Sequence, residues 1–140
     1  MNGRFFLDTN VFVYSFDRSA PAKARRAWQL IRSAVATGKG IISYQVAQEF
    51  FNVALRRFAN PMTLADAEQY LLTVFRPLLA IHSSPALYGE ALRIIDRYRL
   101  SWYDSLIVAA ALEGECDVLY SEDLNPGQRF DKLTIANPFV

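Results

Sequence analysis

The chain has 140 residues, a length typical of one domain, and its net charge is only +1 with a pI near 7.9. Apolar residues make up 52% of the sequence and charged residues 21%, which excludes a disordered protein, and the near-neutral charge excludes the broad basic surface of a dedicated nucleic-acid binder. The longest apolar run, residues 106–112, is far shorter than the roughly 20 residues that cross a bilayer. We therefore expect a single domain over residues 1–140, in the cytoplasm and without a membrane span.

Cysteine and histidine are too scarce for several common kinds of site. Cys116 is the single cysteine and His82 the single histidine. One cysteine excludes a disulfide within the chain, and the two residues together are too few for a zinc site made of Cys and His alone. The sequence also has neither a P-loop nor a Gly-x-Ser-x-Gly motif.

The first predicted strand is the apolar run of residues 4–7, which ends at Asp8-Thr9-Asn10, a sequence typical of a turn. Pro21 then opens a helix that runs to about Thr37, with apolar residues at helical spacing, and the glycines on either side of Lys39 stop it.

A second strand is predicted at Ile41–Ile42, after which Ser43 can cap a helix that runs to about Phe58. Thr63 caps a further helix that runs to about Phe75. Each of these helices has apolar residues along one side, so each is expected to pack on a sheet.

The second half of the chain begins at Pro77, which is predicted to end the preceding helix. Ser84 and Ser101 start two more helices, the second of which ends at Gly114. Three further strands are predicted at residues 78–81, 117–120 and 133–135. The alternation of strands and helices predicts an α/β fold with a mostly parallel central sheet of about five short strands and helices on both faces.

Two acidic residues follow predicted strands. Asp8 comes directly after the first strand, and Asp123 comes shortly after the strand that ends at Tyr120. In parallel sheets, ligand sites lie beyond the carboxyl ends of the strands, so both carboxylates are candidates for a site at one rim. Taken singly, each is better explained by the preference of Asp for turns and helix N-caps.

Two more acids lie on predicted helices. Glu49 is at the edge of the apolar side of its helix, where it either faces a site or pairs with Arg56 or Arg57. Asp104 lies three residues after Ser101, as in a capping box, and it heads a strongly apolar helix near the same rim.

Four carboxylates without His or Cys would form a site of hard oxygen ligands, which suits Mg²⁺ or Mn²⁺. Like charges at short range repel one another unless a divalent cation neutralises them. The same cation would let an acidic pocket accept an anionic phosphodiester and would activate water for its hydrolysis.

The sequence resembles the PIN-domain family in four acidic motifs that occur in order along almost the whole chain. The motifs are Leu7-Asp8-Thr9-Asn10, Gln48-Glu49-Phe50, residues 102–111 (Trp-Tyr-Asp-Ser-Leu-Ile-Val-Ala-Ala-Ala) and residues 119–124 (Leu-Tyr-Ser-Glu-Asp-Leu). Each motif alone is weak, but the series is specific. The resemblance implies a compact α/β fold and metal-dependent endonuclease activity on RNA.

The same resemblance implies a role for individual residues. It implies that Mg²⁺ or Mn²⁺ is held by four acids, namely Asp8, Glu49, Asp104 and Asp123. Thr9 and Asn10 would support Asp8 by hydrogen bonds, and Ser121 matches a position that is usually Thr or Ser beside the last acid. Glu122 adjoins Asp123 and is expected to face the other way, because successive residues of an extended segment alternate.

The end of the chain is similar to the toxin subunits of VapBC toxin–antitoxin modules. The similarity lies in Ser121–Leu124, Gly127-Gln128 and Asn137-Pro138-Phe139. It implies a homodimer that a small antitoxin protein silences by inserting into an apolar groove. Several aromatic residues could line that groove or the dimer interface, or could equally belong to the core: Phe50, Phe51, Phe58, Tyr70 and Phe75.

Three alternatives stay open on the sequence. The protein could be an RNA-processing nuclease of the same fold without an antitoxin, a signalling domain that accepts phosphate on Asp8, or a scaffold without catalysis. Basic residues that could contact RNA are scattered over the sequence, and the candidates are Arg56, Arg57, Arg97, Arg99, Arg129 and Lys132. Trp102 and Tyr103 could stack an unpaired base or pack in the core.

Overall fold

The computed structural model describes residues 2–140 as strands and helices arranged around one six-stranded sheet. Its strands are β1 (Phe5–Leu7), β2 (Gly40–Ser43), β3 (Leu79–Ile81), β4 (Val118–Tyr120), β5 (Arg129–Phe130) and β6 (Leu133–Ala136). Its helices are α1 (Thr9–Tyr14), α2 (Pro21–Thr37), α3 (Tyr44–Ala54), α4 (Leu64–Tyr70), α5 (Arg76–Leu78), α6 (Pro85–Tyr98) and α7 (Trp102–Glu113), and a π-helical turn over Leu71–Phe75 joins α4 to α5.

The strand order is β3-β2-β1-β4-β6-β5, and every neighbouring pair is parallel except β5 with β6. The predicted α/β class and mostly parallel sheet are therefore confirmed. The additional strand, β5, has only two residues, too few for an alternating pattern to reveal it. The chain leaves β1 toward β2 on one side and returns as β4 on the other, so the strand order reverses between β1 and β4.

The turn predicted after β1 is instead the start of helix α1. Asp8 is the N-cap of this helix, and its side chain accepts a hydrogen bond from the amide of Thr9. Asp, Thr and Asn are favoured both in turns and at helix N-termini, and a helix of six residues is too short to show an apolar period. The first acidic motif is therefore held by a helix cap.

Helix α3 ends at Ala54, earlier than the predicted end at Phe58. The amide of Met62 donates to the carbonyl of Ala54 at 2.9 Å, which turns the chain back. The ring of Phe58 then packs on that of Phe16, with centroids 5.4 Å apart. Tertiary packing of an aromatic residue thus replaces the last predicted turn.

Pro77 does not end the helix before it, because the helical path continues to Leu78. In the preceding π-helical turn, the amide of Arg76 donates to the carbonyl of Leu71, five residues back. The four-residue hydrogen-bond pattern that a proline disrupts is therefore already displaced at this point.

Three of the four predicted helix caps form. The side chains of Thr63, Ser84 and Ser101 accept hydrogen bonds from amides in the first turns of α4, α6 and α7. Ser43 occupies the N-cap position of α3, but its side chain makes no capping bond. Its hydroxyl is therefore available for another partner.

The core lies on both faces of the sheet, and the aromatic residues of the first half belong to it. Phe50 and Phe75 are fully buried, and Tyr70 stacks on Phe50 with centroids 5.1 Å apart. Phe51 and Phe58 are half-buried against the same cluster. Within residues 2–140, none of the helices combines the length and the apolar character that crossing a membrane requires.

Candidate active site

The four acids predicted from the sequence line one pocket at the carboxyl ends of β1 and β4. The pocket has a volume of about 380 Å³, and its walls come from α1, α3, α7 and the loop after β4. The acids that line it are Asp8, Glu49, Asp104 and Asp123. Its position is the point where the strand order reverses, which is where parallel sheets bind ligands.

Asp8 is held from both central strands. It follows β1 and is 6% exposed, and its Oδ1 accepts a hydrogen bond from the amide of Thr9 at 2.7 Å. Its Oδ2 accepts from the hydroxyl of Ser121, a fully buried residue that follows β4, at 2.8 Å. These two bonds fix the plane of the carboxyl group.

Burial also controls the protonation of Asp8. Removal from water raises the pKa of its carboxyl from 3.8 to about 7. The hydrogen bonds from Ser121 and Thr9 oppose this shift, whereas the negative charges of Asp123 and Glu49 add to it. At neutral pH the group lies between its charged and neutral forms, so a positive charge placed nearby would favour the carboxylate.

Glu49 reaches the pocket from the middle of α3. Its Oε1 accepts a hydrogen bond from the hydroxyl of Thr9 at 2.7 Å. The alternative considered from the sequence, an ion pair with Arg56 or Arg57, does not occur among residues 2–140. Thr9 therefore orients two acids, one through its backbone amide and one through its side chain.

Asp123 is oriented by Asn10, which differs from the predicted role of Asn10 in supporting Asp8. The Nδ2 of Asn10 donates to Oδ2 of Asp123 at 3.1 Å. Asn10 lies in the first turn of α1, and its side chain extends across to the loop after β4 instead of folding back on Asp8. Ser121 links the two acids, since its hydroxyl donates to Asp8 and accepts from the amide of Asp123 at 3.1 Å.

Asp104 faces the pocket from the first turn of α7. Its amide donates to Oγ of Ser101 at 3.2 Å, which is one half of the predicted capping box. The reciprocal bond, from the amide of Ser101 to the carboxylate of Asp104, is absent among the hydrogen bonds of residues 2–140. The carboxylate of Asp104 is thus left to the pocket.

The carboxylates of Asp8, Glu49 and Asp123 have neutral hydrogen-bond partners, and within residues 2–140 none of the four acids has a cationic one. In the described part of the chain the ion pairs are Lys23 with Glu122 and Arg93 with Glu90, and neither involves these acids. No three acidic, His or Cys side chains within residues 2–140 come together as a group that could hold a metal ion in this arrangement. The pocket therefore carries uncompensated negative charge on separate carboxylates.

A comparison with models of protein families shows to which family the chain belongs. A family model described as the PIN domain matches residues 5–133. The chain belongs to the PIN domain family. Comparison with curated protein sequences gives no match.

Solved structures of similar fold support the assignment of this PIN domain. One is a toxin–antitoxin complex from Klebsiella pneumoniae, with a TM-score of 0.68, 18% identity and coverage of 95% of this chain and 96% of that chain. Another is the VapC20 toxin of Mycobacterium tuberculosis, described as cleaving the sarcin–ricin loop, with a TM-score of 0.58, 19% identity and coverage of 84% of this chain and 88% of that chain. At these identities the likeness shows a shared fold.

The PIN domain also contains a contact that the sequence did not predict, between Glu122 and two residues of the first half. The carboxylate of Glu122 accepts hydrogen bonds at 2.7 Å from Nζ of Lys23 and from the hydroxyl of Tyr14. The bond from Lys23, followed by that from Tyr14, holds the pKa of Glu122 below its ordinary value. As expected, Glu122 faces away from its neighbour Asp123 to make these contacts, although it still lines one wall of the pocket. Glu122 is about a hundred residues away from both partners in the sequence, so no local pattern predicted this pairing.

The basic residues proposed for RNA contact lie elsewhere within the described residues. None of the six candidates lines the acidic pocket. Arg97 lines a separate pocket with Asp131, and Lys132 lines another with Cys116. Scattered charges on helices gave no means of ranking these positions.

Proposed function

We propose that this PIN domain is an endoribonuclease that depends on Mg²⁺ or Mn²⁺, and that it is the toxin of a type II toxin–antitoxin pair. The observation that carries the proposal is the pocket between β1 and β4, which is lined by Asp8, Glu49, Asp104 and Asp123, four acids without a cationic partner among residues 2–140. The fold is shared with a chain of a toxin–antitoxin complex and with a toxin described as cleaving the sarcin–ricin loop, which supports RNA as the substrate.

The chemistry of the pocket fits a divalent cation. All four acids offer hard oxygen ligands, which Mg²⁺ and Mn²⁺ prefer. Burial and the charges of Asp123 and Glu49 disfavour the charged form of Asp8, and a cation would reverse that effect. When bound, a divalent cation supplies positive charge that activates water and stabilises charge on the phosphate.

The residues of the chain hold the acids in place for this task. Ser121 and the amide of Thr9 orient Asp8, the hydroxyl of Thr9 orients Glu49, and Asn10 orients Asp123. In the hydrolysis that we propose, water adds to the phosphorus, the bond to one ribose oxygen breaks, and that oxygen gains a proton. Since the acids alone would repel the phosphate, cleavage without a divalent cation should be negligible.

An apolar surface on α4 and the π-helical turn supports the proposal of protein partners. Leu64 is 79% exposed at the start of α4, and Leu71 and Leu72 are also exposed in the π-helical turn that follows it. Exposed apolar patches commonly mark protein interfaces. We propose that a small antitoxin and a second copy of the chain bind the protein through surfaces of this kind, in the cytoplasm, where RNA is accessible.

The test is cleavage of total cellular RNA by the purified wild type and by Asp8→Asn, with Mg²⁺, Mn²⁺ or EDTA. In the variant, the Asn oxygen can still accept from Thr9 and its NH₂ group can donate to Ser121, so the fold should survive. Asp96→Asn is the matched control, because Asp96 is an exposed acid outside the pocket. We expect discrete fragments from the wild type and the control with metal, and none from Asp8→Asn.

The cleavage experiment and two further assays separate the alternatives. Cleavage by folded Asp8→Asn at the wild-type rate would remove Asp8 from the site. Phosphorylation of Asp8 by a small phosphodonor without RNA cleavage would favour the signalling domain. Growth arrest on expression, relieved by a co-expressed small neighbouring protein, distinguishes a toxin from an RNA-processing nuclease, and unaffected growth would count against the toxin.

A further inference from the structure

A second pocket adjoins the acidic one. It has a volume of about 220 Å³, and it shares Gln45 and Tyr103 with the acidic pocket. The Nε2 of Gln45 donates to the carbonyl of Tyr103 at 3.3 Å, so this contact between α3 and α7 lies where the two pockets meet. Ser43, Gln48, Tyr88 and Trp102 are among the residues that line the second pocket and not the first.

Ser43 lines this pocket and carries a buried hydroxyl that is not used in the described part of the folded chain. The residue is 3% exposed, yet its Oγ has no hydrogen-bond partner among residues 2–140. A Ser at an N-cap ordinarily gives this oxygen to an amide of the first helical turn, as Ser84 and Ser101 do in this chain. A buried polar atom without a partner costs free energy, and Ser43, unlike the equally unpaired Ser105, lies beside a pocket from which a ligand could supply the partner.

The other walls of the pocket suit a flat, polar molecule. The half-buried indole of Trp102 contacts the ring of Tyr88 edge-on, with centroids 5.3 Å apart, and gives an aromatic surface. The exposed amide of Gln48 offers both a donor and an acceptor. The volume is below the roughly 300–1,000 Å³ of pockets for drug-sized ligands, so it fits one ring system and not a whole nucleotide.

We propose that this pocket binds one unpaired nucleobase of the RNA substrate, adjacent to the phosphodiester that is cleaved. The base stacks on Trp102, its polar edge bonds to Ser43 and Gln48, and the backbone passes over Gln45 into the acidic pocket. Unpaired bases are recognised by this combination of stacking and edge contacts. The inference rests on the proposed ribonuclease function and adds a determinant of cleavage specificity to it.

The first test compares cleavage of an RNA library with randomised bases around the cut, with Mn²⁺, by the wild type, Ser43→Ala and Gln48→Ala. The fragment ends give the base preference at each position. We expect each variant to lose about 3- to 10-fold of the preference at one and the same position, the effect of one hydrogen bond. The loss should lie in KM, and the cleavage rate at saturating RNA should be retained.

Ser105→Ala is the matched control. Ser105 is fully buried and its Oγ also lacks a partner among residues 2–140, but it does not line the pocket. It should keep the wild-type preference. A substrate with an abasic nucleotide at the sensitive position should be cleaved equally by the wild type and Ser43→Ala. Unchanged base preference in both pocket variants would overturn the subsite while leaving the nuclease intact.

A binding measurement decides the subsite without cleavage. Trp28 and Trp102 are the two tryptophans, and Trp28 is 47% exposed on α2, so Trp28→Phe leaves Trp102 as the single reporter. Titration in EDTA with the four ribonucleosides, which carry no phosphate for the acids to repel, should quench its fluorescence, and Ser43→Ala should weaken the apparent affinity of the nucleoside that quenches by the same 3- to 10-fold. No quenching would overturn the subsite. If the wild type cleaves no RNA with either metal, the proposed function fails, and this titration still decides whether the pocket binds bases.

Discussion

Acidic residues cluster at both ends of the sheet, but their surroundings differ. At the carboxyl ends of β1 and β4, Asp8 is buried and its pKa is raised to about 7. At the amino ends of the same strands, a cavity of about 850 Å³ is lined by Asp117 and other acids together with Lys132. There, the carboxylate of Asp117 accepts a hydrogen bond from the amide of Gly3 at 2.8 Å and so ties down the start of the chain.

The comparison shows that acidity alone does not define a site. Asp117 is partly exposed and serves the local backbone, and a lysine shares its cavity. At the carboxyl end, Asp8, Glu49, Asp104 and Asp123 share a pocket and none of them pairs with a cation in residues 2–140, and Asp8 is buried. The arrangement at the carboxyl end lowers the free energy of unfolding, and a bound cation would restore that loss.

The largest difference between variants at the two ends of the sheet should be in the rate of RNA cleavage. Asp123→Asn should lower RNA cleavage by about 10²- to 10³-fold, the usual effect of removing one group that stabilises charge in a reaction. Its remaining oxygen can still accept from Asn10, so the fold should be kept. Asp117→Asn, the same change at the other end of the sheet, should cleave like the wild type. Initial rates on one RNA substrate with Mn²⁺ measure both, and a similar loss in the two variants would contradict the assignment of the site.

The next contrast is in the pH dependence of stability without metal. The unfolded chain loses the proton of Asp8 near pH 3.8, whereas the folded protein keeps it until about pH 7. The folded state therefore binds more protons than the unfolded state in this range. The contribution of Asp8 to the free energy of unfolding falls as pH rises, by at most about 4 kcal/mol.

Urea unfolding in EDTA at several pH values from 4 to 7 measures this effect as the difference between the wild type and Asp8→Asn. The variant should gain stability relative to the wild type as pH rises, while Asp117→Asn should follow the wild type. A difference that does not vary with pH would mean that Asp8 titrates normally in the folded protein.

Metal should stabilise the folded protein by binding at the carboxyl end of the sheet only. A ligand that binds the folded state at 100 times its Kd raises the free energy of unfolding by about 2.7 kcal/mol. Adding Mn²⁺ to metal-free protein at pH 7 should therefore raise the Tm of the wild type and of Asp117→Asn, but not that of Asp8→Asn. Equal shifts in all three would place the binding elsewhere, and no shift would mean that the pocket does not bind the metal.

The sequence predicted the acids of this pocket because each stands at a position that general rules single out. Asp8 and Asp123 follow strands, Glu49 lies at the edge of an apolar helix face, and Asp104 heads a buried helix. Alternating strands and helices predict a parallel sheet, in which the carboxyl ends of β1 and β4 lie at the same rim, whereas the order of the strands comes from the structure.

Features that depend on contacts distant in sequence could not be predicted in the same way. The side chain of Asn10 was expected on Asp8 but reaches Asp123, a choice that only the folded loop determines. The early end of α3 depends on where the ring of Phe58 packs. The helical path through Pro77 depends on a π-helical turn that no local pattern predicts. Ser43 has the right residue type for a cap, and only the structure shows its hydroxyl unused.

The smallest expected effect on cleavage is at Thr9, which positions the acid Glu49 by a hydrogen bond. Thr9→Val keeps the shape of the side chain but removes the hydroxyl that donates to Glu49 at 2.7 Å, worth about 1 kcal/mol net. Cleavage should fall by about 5- to 10-fold, since Glu49 is then less well oriented, and Thr9→Ser should restore it. Thr73→Val is the matched control, because that hydroxyl donates only to the carbonyl of Gln69 on an exposed helical turn. If Thr9→Ser behaves like Thr9→Val, the loss comes from packing at α1, and the hydrogen bond to Glu49 has no part in it.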